Sequence, residues 1–204
     1  MSLMRKLFGP SKDEIWTQLA RKLEADFVPG GVFRESKVEA HVEEWTVTLD
    51  VFTEMVGQLP VDYTRLRAPY VNPSGFRFKV YRSDFSSKLG KLFGMQDIEI
   101  GYERFDRDFV VKGNDPGKVK ALLRDDRVRR LIEAQPKVCL WVRDDEGWFG
   151  THFPDGVDEL CFQVEGVIKD LDRLKGLYDL FAEVLNRLCE IGAAEGSDPG
   201  VKLK

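Results

Sequence analysis

The stretch "EWTVTLDVFTEMVGQLPVDYTRLRAPYV", residues 44–71, indicates the fold class, because its polarity alternates with the period of two that a β-strand requires. Valine, threonine, tyrosine and tryptophan recur on both sides of "GQLP" at 57–60, which has the composition of a turn. The stretch therefore predicts two antiparallel strands, at 44–53 and 62–71. Each strand should have one buried face and one face in water.

Similar patterns extend in both directions along the chain. They predict further strands at 37–42, 75–82, 97–101, 109–112, 137–143, 147–153 and 158–168. Ser11 and Glu14 form a capping box that opens a helix over 11–26. Apolar periodicity predicts a bent helical segment over 115–134, and a long helix from Asp170 to a stop at Gly192.

Strands that arrive in runs, with few helices between them, favour an α+β fold over an alternating α/β fold. We expect mostly antiparallel sheet with an N-terminal helix, a central helical segment and a long C-terminal helix. Residues 1–192 are predicted to form one domain, with two subdomains divided near residue 103 as the alternative. The polar tail at 193–204 is expected to be disordered.

Composition limits the class of function. The 31 basic and 35 acidic residues of this 204-residue chain give a net charge of -4, which predicts no binding to nucleic acid. No window has the roughly 20 apolar residues of a membrane-spanning helix. Three cysteines in separate apolar segments, Cys139, Cys161 and Cys189, are typical of free thiols in a reducing compartment. These features predict a cytoplasmic protein with no cofactor.

Several segments, read in order, resemble a known kind of family. They are "EWTVTLD", "TRLRAPYVN", "FRFKVYR", "KLFGMQDIEIG", "FDRDFVVKGND" and "FPDGVDELCFQVEGVIKD". Together they resemble a bacterial family of uncharacterised proteins, a domain of unknown function, over about residues 11–192. The resemblance implies one cytosolic bacterial module and brings no known activity.

The string "GNDPGK" at 113–118 has some features of a phosphate-binding loop. That loop requires four residues between its glycines and a hydroxyl after its lysine, whereas here three residues separate Gly113 from Gly117, and Val119 follows Lys118. Pro116 also removes a backbone donor. The same residues make an ordinary helix start, with Asp115 or its neighbour as the cap and Pro116 in the first turn. We therefore predict a cap and no nucleotide site.

Two groups of carboxylates are candidates for a metal site: Asp106 with Asp108, and Asp144 with Asp145 and Glu146. They support a metal-assisted hydrolase as an alternative function, although Asp144–Gly147 also has the composition of a hairpin turn. His152 and Cys161 are a second candidate pair, as base and nucleophile. Because Cys161 lies between apolar residues, an inert core thiol is the favoured interpretation.

Two segments are candidates for an interaction surface. Residues 82–95 form a basic amphipathic segment, and the turn at 147–150 carries two aromatic residues. The predicted surface residues are Arg82, Lys88, Lys91, Phe93, Trp148 and Phe149. Our leading hypothesis is a non-catalytic cytosolic module that binds another protein or itself, with no catalytic or metal-binding residues. Attachment to a membrane surface through 82–95 is a third hypothesis.

Overall fold

The computed structural model describes residues 9–32, 34–84, 96–144, 146 and 151–203. Within these residues, nine strands form one antiparallel sheet and five helices accompany it. The strands are β1 (Asp26–Val28), β2 (Lys37–Val42), β3 (Trp45–Val56), β4 (Leu59–Val71), β5 (Phe78–Arg82), β6 (Gln96–Asp97), β7 (Phe109–Gly113), β8 (Cys139–Arg143) and β9 (Val157–Glu165). The helices are α1 (Lys12–Leu23), α2 (Glu103–Asp108), α3 (Pro116–Leu123), α4 (Asp126–Glu133) and α5 (Leu171–Glu190). The predicted α+β class, with its N-terminal and long C-terminal helices, is confirmed.

Capping side chains start the helices where the sequence predicts them. The hydroxyl of Ser11 accepts a hydrogen bond from the amide of Glu14, whose carboxylate accepts one from the amide of Ser11. Asp170 caps α5 in the same sense by accepting from the amide of Arg173. The central helical segment is divided in two, because Asp125 caps a new helix, α4, directly after α3.

The order of strands across the sheet is β1-β2-β3-β4-β9-β8-β5-β7-β6. β4 pairs with β3 on one side and with β9 on the other, so the next strand in the chain, β5, crosses to a position between β8 and β7. Strands from before and after residue 103 therefore belong to one sheet.

One face of the sheet carries the main hydrophobic core. The core joins Trp16 of α1 and Phe181 of α5 to alternate residues of the central strands, such as Leu66 of β4 and Phe162 of β9. These side chains are fully buried. Because successive side chains of a strand point to opposite faces, the residues between them, such as Arg67 and Cys161, lie on the other face.

Some elements differ from the sequence prediction. The strand expected at 97–101 is reduced to β6, because the chain turns at Gly101 into the short helix α2, which was not predicted. Of the strand expected at 147–153, the described part, 151–153, has no strand structure. Of the helical turns expected at 84–94, all residues after residue 84 lie outside the described part of the chain. After α5, residues 193–203 have neither helix nor strand, and Ala193, Ala194 and Leu203 are buried.

The segment "GNDPGK" is a strand end and a helix start, as predicted. Asp115 accepts a hydrogen bond from the amide of Lys118, and Pro116 occupies the first helical turn. The side chain of Asn114 accepts from the amide of Arg77 and donates to the carbonyl of Gly75, which fixes the turn before β5. Gly113 is required by packing, because a Cβ atom there would overlap the side chain of buried Val119.

Replacing Gly113 by alanine is expected to lower the free energy of unfolding by about 1–3 kcal/mol, because the added methyl forces α3 away from β7. Urea denaturation measures the change. Gly176→Ala is the matched control. Gly176 lies within α5, and the nearest side-chain atom to a Cβ added there would be Nε2 of Gln135, at 3.9 Å. That substitution is expected to raise the free energy of unfolding by about 0.5–1 kcal/mol through helix propensity. A neutral effect at Gly113 would contradict the packing argument.

Candidate functional site

The sheet face opposite the main core carries a layer of buried and half-buried charged residues. It is formed by three arginines and three carboxylates: Asp50 of β3, Arg65 and Arg67 of β4, Arg143 of β8, Glu146, and Glu159 of β9. We refer to these six residues as the charged layer. The strand residues are placed there by the period of two and by register, since Asp50 lies opposite Arg65, and Arg143 lies opposite Glu159.

Arg67 lies at the centre of the charged layer, with 1% of its surface exposed. Its two terminal nitrogens form ion pairs with Asp50 and Glu146. Asp50 is also held by Arg65, which donates from Nε to Oδ1 over 2.9 Å and from Nη2 to Oδ2 over 2.8 Å. This bidentate geometry is among the strongest that an arginine can make. Arg67 therefore connects β3 and β4 to the segment that contains Glu146.

Glu159 is the most deeply buried acid of the charged layer, with no exposed surface. Nε of Arg143 donates to its Oε2 over 2.6 Å, whereas its Oε1 has no hydrogen-bond partner in the part of the chain that the structure describes. Burial raises the pKa of this carboxyl to about 7, although Arg143 and Arg67 oppose that change. Glu159 therefore changes its charge near neutral pH.

Glu146 behaves in the opposite way. Burial acts to raise the pKa of its carboxyl, but Arg67 and the amide of Thr151 outweigh burial and hold the pKa below its ordinary value. The Thr151 amide donates to Oε2 over 2.8 Å, and Arg143 donates to Oε1 over 3.0 Å. Glu146 therefore stays ionised and fastens the segment before β9 to the sheet.

The charged layer has some of the properties of a catalytic site but lacks access. A carboxyl with a pKa near neutrality suits acid–base chemistry, yet Glu159 has no surface for a substrate to reach. The neighbouring thiol of Cys161 is fully buried, and burial raises its pKa far above the ordinary value. His152, the base suggested for this thiol, is exposed. The geometry is that of an internal brace between strands.

The two predicted groups of carboxylates have protein partners. Asp106 accepts hydrogen bonds from the amides of Ile100, Gly101 and Tyr102, and so fixes the turn into α2. Asp108 pairs with Arg107, and Asp144 pairs with Arg77 over 2.9 Å. Asp145 lies outside the described residues. Across the described ranges, no three histidine, cysteine, aspartate or glutamate side chains are arranged to hold a metal ion.

An open pocket of about 590 Å³ lies beside the sheet edge formed by β6 and β7. Its lining includes Asp97, Glu99, Asp106 and Lys120. Asp97 is paired with Lys112 over 2.8 Å, and Asp106 accepts hydrogen bonds from the three amides, so both carboxylates already have protein partners.

Within the described helices and strands, the most exposed large apolar side chains lie at the tip of the β3–β4 hairpin. Strand β2 pairs with β3 only as far as Leu49, and strand β9 pairs with β4 only as far as Thr64. Beyond these points the two strands of the hairpin pair with each other up to Val56 and Leu59, so the hairpin projects from the sheet. Leu59 is 70% exposed, and Met55, on the opposite face, is 62% exposed.

One face of this hairpin carries an apolar strip that is continuous along β4 and interrupted by Glu54 on β3. Cross-strand partners share a face, which places Phe52 beside Tyr63 and Val56 beside Leu59, with Val61 between them. We refer to these five residues as the hairpin strip. All five are at least partly exposed. A set of adjacent apolar residues on a projecting element is typical of a surface that contacts another protein.

The base of the hairpin is held rigid by the charged layer. The Arg65 guanidinium, fixed by Asp50, lies 4.8 Å from the centre of the Phe52 ring, and this ring stacks on Tyr63 with the centres 5.3 Å apart. Thr53 donates a hydrogen bond to Asp62 across the strands over 2.7 Å. An isolated two-stranded ribbon is only marginally stable, so these contacts keep the hairpin strip in a fixed geometry.

The predicted interaction residues are mostly outside the described part of the chain. Lys88, Lys91, Phe93, Trp148 and Phe149 all lie there, so the surfaces at 82–95 and 147–150 remain predictions. Arg82 is described: it donates to the carbonyls of Glu133 and Gln135, and its guanidinium lies 4.9 Å from the Phe109 ring. This side chain is therefore engaged at the end of α4.

Sequence reasoning missed both the charged layer and the hairpin strip. The alternating arginines of "TRLRA" at 64–68 suggested a face in water, whereas Arg67 is buried. The signal that could have revealed the layer is the pair of opposite charges, Asp50 and Arg65, at matching distances from the turn at 57–58. The same pairing would have placed Val56 and Leu59 at the tip of one long hairpin.

No family model matches this sequence, and no curated protein is detectably similar to it. This result agrees with the expected uncharacterised family. Among solved structures, the mycobacterial trehalose monomycolate transport factor A has a similar fold, with a TM-score of 0.53 and 8% sequence identity. The likeness covers 86% of this chain and 95% of that one. At this identity it shows the fold alone.

None of the helices in the described part of the chain has both the length and the apolar character that a membrane span requires.

Proposed function

We propose that this protein is a non-catalytic cytoplasmic module that binds another protein through the hairpin strip. The observation that carries the proposal is the exposure of adjacent apolar side chains on a braced hairpin, above all Leu59. Burying a leucine side chain contributes about 1.5–3 kcal/mol, and the isolated chain does not obtain this stabilisation at Leu59. A partner that covers the strip would supply it.

The free cysteines and the charged layer support the same proposal. Cys139, Cys161 and Cys189 form no disulfide, as expected of a protein in a reducing compartment. Cys161 and Glu159, whose pKa values burial raises strongly, are buried and serve the interior of the sheet. Because these groups are buried, a protein-binding function agrees better with the exposed residues than a hydrolase activity does.

Replacing Val56 and Leu59 together by serine is expected to weaken partner binding at least about tenfold while leaving thermal stability almost unchanged. Both side chains lie at a hairpin tip, where substitutions change stability by roughly 0.5 kcal/mol or less. In an interface, the loss of two apolar contacts exceeds the 1.4 kcal/mol that corresponds to a factor of ten. Proteins captured from source cells by the wild-type chain should each be purified, and the dissociation constant of each purified pair should be measured.

Val32→Ser is the matched control, because Val32 is 90% exposed but lies in the loop between β1 and β2. A partner that binds the control as tightly as wild type, and the hairpin variant at least about tenfold more weakly, would support the proposal. Equal binding to all three chains, or no purified partner that binds directly, would refute it. Selective loss with Lys91→Glu combined with Phe93→Ser would assign the docking surface to 82–95 instead.

A further inference from the structure

Among the described residues, the outer edge of β3 is open where the hairpin leaves the sheet. A two-residue turn at 57–58 makes Val56 and Leu59 a hydrogen-bonded pair, and antiparallel pairing then alternates along the strands. Residues Val51, Thr53 and Met55 therefore direct their backbone N–H and C=O groups away from β4. No described strand pairs with this side of β3 beyond Leu49.

The chain before β2 turns away from this edge. The hydroxyl of Ser36 donates a hydrogen bond to Asp13 of α1, and Lys12 of the same helix pairs with Glu35 over 2.5 Å. These contacts direct the chain toward α1, so β2 does not extend along β3. The open edge is therefore a consequence of how the described elements are connected.

The other edge of the hairpin is closed. On the outer side of β4, the amide of Gly166 donates to the carbonyl of Asp62, and the amide of Thr64 donates to the carbonyl of Gly166. Pro60 has no N–H to offer a neighbouring strand. This asymmetry leaves the edge of β3 as the side of the hairpin that can accept an additional strand.

Charge distinguishes between the strands that could pair there. Residues 53–63 contain Glu54 and Asp62 and no lysine or arginine. Burial, and then the charges of Glu54 and Glu165, raise the pKa of Tyr63, so carboxylates lie near this member of the hairpin strip. Two copies of this hairpin would bring like charges together, which opposes self-pairing. A partner with lysine or arginine would instead complement this surface.

We propose that the outer edge of β3 receives an extended segment of a partner protein as an additional antiparallel or parallel strand. The segment has lysine or arginine opposite Glu54, and apolar side chains beside Phe52 and Val56. Main-chain hydrogen bonds to the exposed residues Thr53 and Met55 supply affinity, and the alternating side chains supply specificity. This inference rests on the proposed function, since it identifies the chemistry of the partner that binds the same hairpin.

The test uses two short synthetic peptides, one that repeats valine-serine-lysine-serine and one in which glutamate replaces every lysine, so that valine and the charged residue alternate along one face of the strand. The lysine peptide is expected to bind the wild-type chain at least about tenfold more tightly than the glutamate peptide. Fluorescence anisotropy measures both affinities. Hydrogen exchange of the amides of Thr53 and Met55 is expected to slow when the lysine peptide is bound, because these groups would enter a ladder.

Thr53→Pro and Thr53→Val form a matched pair of variants. Both remove the side-chain bond to Asp62, but only proline removes the backbone donor on the open edge. Thr53→Pro is expected to weaken binding of the lysine peptide at least about tenfold relative to Thr53→Val. Circular dichroism of both variants checks that the fold is retained.

The outcomes separate this inference from the proposed function. Equal binding of the two peptides, equal effects of the two Thr53 variants, or unchanged exchange at the edge amides would overturn strand addition. The proposed function would still stand if Val56→Ser with Leu59→Ser selectively weakened a purified partner. A wild-type dimer that dissociates in Thr53→Pro would assign the edge to a second copy and would also overturn the inference.

Discussion

Replacing Arg67 by methionine is expected to lower the free energy of unfolding by about 3–5 kcal/mol, because it leaves buried carboxylates without their central cation. Asp50 and Glu146 each lose an ion pair that lies almost entirely out of water. Methionine is unbranched and fills much of the volume of an arginine stem, so the change reports mainly on charge. Urea denaturation at neutral pH measures the loss.

The control is Arg130→Met in α4. Arg130 also forms an ion pair, with Asp126 over 3.0 Å, but both side chains are more than 60% exposed. The control is expected to change the free energy of unfolding by about 0.5 kcal/mol or less. Adding Glu146→Gln to Arg67→Met should restore at least about 1 kcal/mol, since it removes one unpaired buried charge. An Arg67 variant as stable as the control would show that the layer does not brace the sheet.

The helices could be predicted because their signals are local. The capping box of Ser11 and Glu14, and the cap at Asp170, involve residues three apart, and the structure contains both. The apolar stripe of α5 likewise repeats within a single element, and residues such as Leu177 and Phe181 are buried as the stripe predicts. Such patterns can be recognised without knowing what the helix packs against.

The strand order could not be predicted, because it depends on pairing between distant residues. Nothing near β4 in the sequence indicates that its second neighbour is β9, about one hundred residues later. The charged layer depends on that pairing, since Glu159 reaches Arg143 and the neighbourhood of Arg67 only when β9 lies between β4 and β8. The charged residues at alternate positions of these strands were therefore predicted to face solvent.

The hairpin strip was missed for a different reason. Val56, Leu59 and Val61 lie on both sides of the turn, and apolar residues in a strand are normally assigned to the core. Their exposure follows from the lengths of neighbouring strands: β2 and β9 both stop short of the tip. A sequence pattern records which residues share a face, but it does not record where the next strand ends.

Replacing Glu159 by glutamine is expected to remove a pH dependence of stability that the wild-type chain shows between about pH 4.5 and 7. The ordinary pKa of a glutamate is 4.5, and burial raises that of Glu159 to about 7 in the folded protein. The folded state therefore binds the proton more tightly than the unfolded state does. Stability from this group is complete below about pH 4.5 and is lost as the pH rises to about 7. At 1.36 kcal/mol per pKa unit, the loss is about 3 kcal/mol.

Glu146→Gln is the matched control, because the pKa of its carboxyl is lowered in the folded protein. Its charge contributes stability above the ordinary pKa, and that stability is lost as the pH falls through the folded pKa. Urea denaturation of the three chains across this pH range distinguishes the two acids. Relative to wild type, Glu159→Gln should gain stability as the pH rises, whereas Glu146→Gln should be less stable by a nearly constant amount above about pH 4.5. Parallel curves for wild type and Glu159→Gln between about pH 4.5 and 7 would show that Glu159 is ionised throughout this range, and that Arg143 and Arg67 outweigh its burial.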